Sequence, residues 1–208
     1  MMTSHGASRL VRIALPEVSI DGGRSFAAIL NERRSIREFA AAPLSLEAAG
    51  QLLWAAQGVT SSAGERTAPS AGALYPLEVY LVAGSVDGLA VGVYGYRAHG
   101  HSLRAYLAGD RRRELADAAL GQGAVLEAPA VLVIAALCAR TARKYGGRGD
   151  RYVHIEVGHA AQNVYLQAHA LGLGTVIVGA FDDDAVRAAL ELAGQEVPLA
   201  LLPVGTPR

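Results

Sequence analysis

Apolar residues recur along this chain in two rhythms. Leu46, Ala49, Leu52, Leu53 and Ala56 are spaced by threes and fours, which places them on one face of a helix over 46–57. Ser45 offers its N-cap and Gly58 its stop. A longer pattern over Tyr152–Leu171 is apolar around most of its circumference, as expected of a helix buried centrally or at a subunit contact. Shorter helices are predicted over Ser25–Asn31, over Arg111–Leu120 with Asp110 as cap and its opening arginines in water, and over Ala185–Leu192 after Asp182. The second rhythm consists of short β-branched and aromatic runs. They predict strands at Glu78–Val82, Val91–Tyr96, Ser102–Leu107, Val131–Cys138, Thr175–Val178 and Val197–Val204. Helices and strands mix without regular alternation or internal repeat, so the fold class is α+β. Residues 1–24 are poorly patterned and read as an arm; residues 25–208 read as one domain, with no linker inside it.

Composition narrows the function. The 208 residues are 51% hydrophobic and 18% charged, which describes a globular protein with ample core. Nineteen basic and nineteen acidic side chains cancel, so no broad field draws nucleic acid or anionic lipid. The lone cysteine, Cys138, rules out an internal disulfide framework and reads as an inert core thiol. No signal core opens the chain and no run reaches the ~20 apolar residues of a membrane span. A soluble cytoplasmic protein is expected.

Against this neutral background Arg33-Arg34-Ser35-Ile36-Arg37 stands out. Three guanidinium groups and a hydroxyl within five residues suit a small anion such as a phosphate. The alternative is a helix C-terminus whose dipole the arginines complement. Pro69-Ser70-Ala71-Gly72 carries no bulky side chain, so its backbone can approach a flat ligand, although a plain surface turn has the same composition. Arg140–Arg151 mixes basic and tyrosine residues with three glycines and reads as a bend or mobile loop. Metal readings fail. His99 and His101 lack a third ligand nearby, and Glu156-Val157-Gly158-His159 is half of a di-iron motif whose other half is missing, so a hydrogen-bonded core network is expected there. Gly172-Leu173-Gly174 follows a helix, where a dinucleotide fingerprint would follow a strand.

In this order, these segments resemble the nitroreductase superfamily of FMN-dependent oxidoreductases, in particular its azoline-dehydrogenase branch. The resemblance runs from about Arg33 to Gly205. It rests on Arg33–Arg37, Pro69–Pro76, Gly121-Gln122, Lys144-Tyr145 with Arg148, Glu156–Asn163 and Val178–Asp182. It implies a sandwich with a mostly antiparallel central sheet flanked by helices, and a homodimer with FMN in the groove between subunits. Arg33, Ser35 and Arg37, with Arg34 in the same cluster, then correspond to contacts along the FMN phosphate, ribityl chain and pyrimidine edge. Pro69, Ser70, Ala71 and Gly72 are offered by the other subunit. Gln122 falls at an amide-bearing contact, Gly179 and Ala180 where backbone reaches the ring, and Arg208 at a terminal phosphate contact. Lys144-Tyr145 matches a pair thought to remove a proton in azoline oxidation. The implied activity is hydride transfer through flavin N5, with a peptide thiazoline or oxazoline as substrate. NAD(P)H-driven reduction of nitro compounds or quinones, and a flavin-binding scaffold without turnover, are the alternatives. Superfamily members commonly carry a C-terminal extension that wraps the partner, whereas this sequence stops at Arg208.

Overall fold

Ala130–Ala136 is apolar at every position and can be satisfied only if both faces of its strand are covered. In the computed structural model, which describes residues 11–21 and 23–208, every one of these residues is fully buried. In chain order the elements are β1 (Arg12–Ala14), α1 (Phe26–Glu32), α2 (Leu46–Gln57), β2 (Leu77–Ala83), β3 (Gly92–Arg97), β4 (Ser102–Ala108), α3 (Arg112–Ala118) and α4 (Gly123–Glu127). They continue with β5 (Ala130–Ala136), α5 (Ala139–Tyr145), α6 (Gly149–Ala170), β6 (Gly174–Thr175), α7 (Asp183–Ala189) and β7 (Val197–Gly205). The seven strands form one sheet in the order β1-β4-β3-β2-β5-β7-β6, every ladder antiparallel. This is the α+β sandwich expected from the sequence.

Side-chain alternation along β5 divides the core in two. Leu132, Ile134 and Ala136 join Leu52, Leu53, Val79, Leu81 and Val164 on the side of α2 and α6. Val131, Val133 and Ala135 face Leu115, Val125 and Val186 of α3, α4 and α7, with Leu190 just past α7. Burying a leucine in either layer contributes about 1.5–3 kcal/mol. The α2 boundaries are those expected, and the Ser45 hydroxyl accepts the Ala48 N–H at 3.1 Å. Ser45→Ala is expected to cost about 1 kcal/mol, seen as a lower urea midpoint with an unchanged slope.

Several local expectations are corrected. The glycine-rich Arg140–Arg151 stretch is not a loop. It is α5, a short 3-10 turn over Gly146–Arg148, and the start of α6. The glycine that suggested a break is the helix stop, with φ +55 at Gly146. Gly149 then lets α6 start tight against α5, since a Cβ there would lie 2.9 Å from the Ala142 backbone. Asp110 serves the start of α3, accepting the Arg112 N–H at 3.0 Å, but stands before the cap position held by Arg111. Arg112 does not face water: it pairs with Asp110 at 2.7 Å and donates to Ala128 O at 2.8 Å. The four-residue strand expected at Thr175–Val178 shrinks to β6 plus a single bridge from Val178 to Leu201. Cys138 lies just past β5, half-buried, and burial pushes its thiol pKa up. Residues 1–10 of the expected arm lie outside the described residues. Pairing starts soon after them, with β1 on β4 and Leu15 in the core. Among the described residues no helix is long and apolar enough to cross a membrane, and no cluster of His, Cys, Asp or Glu could hold a metal.

Candidate functional site

The arginine cluster starts where α1 stops. Arg33 is the C-cap residue, its N–H donating to Ile29 O at 2.9 Å. Arg34 folds back, giving Nη1 to Asn31 O and to its own neighbour Arg33 O at 2.8 Å each, so this guanidinium does the work of a helix end. Ser35 then runs beside Thr175 of β6 in a parallel bridge. Its hydroxyl shares a 3.1 Å hydrogen bond with Tyr165 Oη, which also accepts the Ile177 N–H at 2.8 Å. The Arg33 guanidinium lies 5.1 Å from the Tyr165 ring centroid, a cation–π arrangement. Arg37 is exposed and forms no ion pair among the described residues. Arg208 joins it, because Phe39 bridges Pro207 and Arg208 N donates to Glu38 O at 3.2 Å. Arg33, Ser35, Arg37 and Arg208 therefore share one end of the molecule.

Gln122 and the turn at Gly179-Ala180 are brought together as well. Gln122 caps α4, and its amide reaches Ala180 O at 3.5 Å. The turn is pinned by the Asp182 N–H on Ala118 O at 2.9 Å. Gly179 is exposed, with no heavy atom within 4 Å of where its Cβ would stand, so the backbone there is open to a flat molecule.

The second group surrounds Pro69–Gly72. Pro69 is exposed and Ala71 partly so; Ser70 Oγ accepts the Tyr75 N–H at 2.9 Å and closes the loop. Gly72, Ala73 and Tyr75 all have positive φ, +63, +53 and +46. The two non-glycine residues store about 1–3 kcal/mol each. Tyr75 is held in this strain by Arg66, 4.5 Å over its ring, and by Arg140, which donates to its carbonyl at 3.0 Å. A Cβ added at Gly72 would sit 2.7 Å from Tyr145 Oη and 2.8 Å from Lys144 Nζ. Both polar atoms of the adjacent pair on α5 thus converge on one point of the loop. Tyr145 is steadied by an edge contact with Tyr152 of α6, ring centroids 4.9 Å apart.

One residue missed in the sequence and one misread there belong here. Tyr165 was not singled out within its helix, yet its hydroxyl ties Ser35 to Ile177. Glu156 is not part of a satisfied core network. It is 2% exposed, and its Oε1 has no partner among the described residues. Burial pushes its pKa up to about 7, against the Ser70 hydroxyl and the Arg66 charge, which pull it back. A glutamate on the apolar side of a long helix was the available signal. Asn163 behaves as expected of a structural polar residue, donating to Ala55 O and Thr67 O.

The two groups do not meet within one chain. Tyr152, against Tyr145, and Tyr165, against Ser35, lie on the same helix, about 20 Å apart along it at about 1.5 Å per residue. The two groups therefore lie toward opposite ends of α6.

Comparison with known proteins places this geometry. The profile described as the nitroreductase family matches residues 30–206. The Methanocaldococcus jannaschii protein MJ1384, a candidate nitroreductase, is 52% identical over 177 residues, 85% of this chain and 88% of the relative. A crystal structure of a candidate nitroreductase from Ralstonia eutropha superposes with TM-score 0.83 at 30% identity, covering 95% of this chain and 90% of that one. Another, from Anabaena variabilis, gives TM-score 0.85 at 27% identity over 96% of this chain, which spans only 42% of that longer protein. With the family profile covering most of its length and a relative identical at half the aligned positions, the chain belongs to the nitroreductase family of oxidoreductases.

Proposed function

We propose that two copies of this chain bind FMN between them and oxidise a peptide thiazoline or oxazoline, with Lys144 and Tyr145 receiving the proton. Cytoplasmic location fits that role. The observation that carries the reading is the convergence of Lys144 Nζ and Tyr145 Oη on Gly72, in a strained loop that belongs to a different half-site from the arginines.

The residues present fit the cofactor. A phosphate is an acceptor-only anion, and Arg33, Ser35, Arg37 and Arg208 supply donors and charge at one end. The open backbone at Gly179 and the amide of Gln122, which reaches the same turn, suit the edge and face of a flat ring. The Pro69–Gly72 loop would come from the partner. A second copy is supported by apolar side chains left in water on α1 and α6: Phe26 (64% exposed), Leu30 (47%) and Ile155 (49%). A crystal structure from Desulfovibrio desulfuricans, described as an FMN complex, shares the fold at TM-score 0.66 and 21% identity. The Escherichia coli microcin synthetase McbBCD complex with truncated pro-MccB17 shares it at TM-score 0.74 and 23% identity.

FMN supplies, when bound, a two-electron acceptor for hydride. Desaturating an azoline ring also releases one proton, and this chain's part is to take it. Lys144 and Tyr145 would do so from one place, since Gly72 leaves no side chain between them and the groove. Tyr152 limits the swing of the Tyr145 ring. Arg37 and Arg33 would anchor the far end, which fixes the register of the ring against the loop.

Arg37→Gln is expected to weaken FMN binding by about ten- to a hundredfold, the loss of one charge-assisted contact, measured by quenching of flavin fluorescence. Unchanged affinity in both Arg37→Gln and Arg33→Gln would remove the arginine cluster from the site. Family membership supports a second reading, NAD(P)H-driven reduction of a nitro compound or quinone. Fast flavin bleaching by NAD(P)H alone would select it. Slow bleaching, with turnover of a thiazoline peptide under oxygen, selects the first.

A further inference from the structure

A cavity of about 290 Å³ opens beside the strained loop and has no part in either half-site. Its wall is built by Gln57 at the end of α2, Arg66 from the loop that follows, Glu78 at the start of β2, Arg97 at the end of β3 and Arg140 at the start of α5. Three guanidinium groups face one carboxylate. That carboxylate is taken, since Glu78 Oε1 lies 2.6 Å from Arg140 Nη2. Arg66 and Arg97 form no ion pair among the described residues, although Glu78 and Glu156 act on Arg66 and Glu196 on Arg97 from a distance.

The unmet hydrogen bonds in the wall have one sign. Gln57 is 1% exposed, and its Oε1 accepts from Arg66 Nη1 at 2.8 Å, which fixes the amide so that Nε2 is the free end. Gln57 Nε2 and Arg66 Nε are both buried without a partner among the described residues, and both are donors. A neighbouring cavity of the same volume shares Glu78, Arg97 and Arg140 and adds Arg104 together with a second carboxylate, Glu196, so it is the less anion-selective of the two. Three guanidinium groups against one carboxylate make the first cavity a better host for an acceptor-only anion than for a cation. Burial lowers the Arg66 pKa, the mark of a charge short of solvation. The volume is at the small end for ligand sites, enough for an anionic group and its immediate carrier.

We propose that this cavity receives a carboxylate or phosphate group, and that the group belongs to the substrate. The first part stands on the cavity alone. The second rests on the function proposed above: Arg66 and Arg140 also hold Tyr75, so an anion seated here lies next to the loop on which Lys144 and Tyr145 converge. An acidic group flanking the reacting ring would thereby be selected, and substrates without one would bind more weakly.

The test is calorimetric titration of the protein, with and without added FMN, by pyrophosphate and by succinate. At least one probe is expected to bind, about tenfold more weakly to Arg97→Gln and to Arg66→Gln, and equally to Arg143→Gln, an exposed arginine of α5 outside the cavity. Preference for pyrophosphate assigns a phosphorylated ligand, and preference for succinate a carboxylate-bearing one; either supports the site. Arg97 is exposed and makes no ion pair among the described residues, so its variant keeps the fold even if Arg66→Gln loosens the loop. No heat with either probe, or undiminished binding to Arg97→Gln, overturns the inference. The probes bind without turnover, so a protein that holds the anion but not FMN refutes the proposed function and leaves this site standing.

Discussion

Lys144→Ala combined with Tyr145→Phe is expected to lower kcat on a thiazoline peptide by about a hundred- to ten-thousandfold, the usual contribution of a positioned acid–base group, with FMN affinity within about twofold of the parent. The two atoms removed approach Gly72 to 2.7 and 2.8 Å of its missing Cβ, while the phosphate-binding candidates lie at the other end of α6. The pair can therefore be deleted without touching the anchor. Gly72→Ala is the companion variant: its φ of +63 is unfavourable to alanine, and the new methyl would displace both side chains. It should reduce turnover although neither the ammonium nor the phenol has been deleted. Equal kcat in the double variant and the parent would strip Lys144 and Tyr145 of their role.

Glu156→Gln is expected to raise stability at pH 8 by up to about 3 kcal/mol and to change little below pH 4.5. The cause is burial, which lifts the carboxyl from its ordinary 4.5 to about 7 in the folded chain. Between those values the folded state binds more proton than the unfolded one. Stability therefore falls as pH rises from about 4.5 to 7, and above 7 the full cost of a buried, incompletely paired charge remains. Glutamine removes the ionisation. Urea titrations from pH 4 to 8 should show parent and variant diverging across that window. Parallel curves would mean that the carboxylate is solvated or paired in solution.

What could be read from the sequence were features carried by neighbours in the chain. The α2 helix was bounded correctly because its apolar spacing, its Ser45 cap and its Gly58 stop agree. The β5 strand was found because seven consecutive apolar residues leave no other role, although it ends two residues before the expected Cys138. The Arg33–Arg37 cluster was visible for the same reason. Some short elements were not: α4 has five residues, too few for a period, and the strand expected at Thr175–Val178 shrank to two residues held by β7 and one bridge to Ser35. The α5 helix was hidden by glycines that serve as its stop and as the contact with α6. Tyr165 and Ser35 are 130 positions apart, so no local pattern could link them. Nor could periodicity tell that Glu156 would be buried with an oxygen left over, since that depends on which strand and loop close over the helix.

The separation of the two proposed half-sites along α6 also has a genetic consequence. In a symmetric pair of copies that complete each other's centres, each centre is composite, drawing its anchor from one chain and its proton acceptor from the other. A chain crippled at Arg37 and a chain crippled at Lys144 would each be inactive as homodimers. Mixed, they would form hybrids in which one centre inherits both defects and the other neither, so two dead alleles would rescue one another.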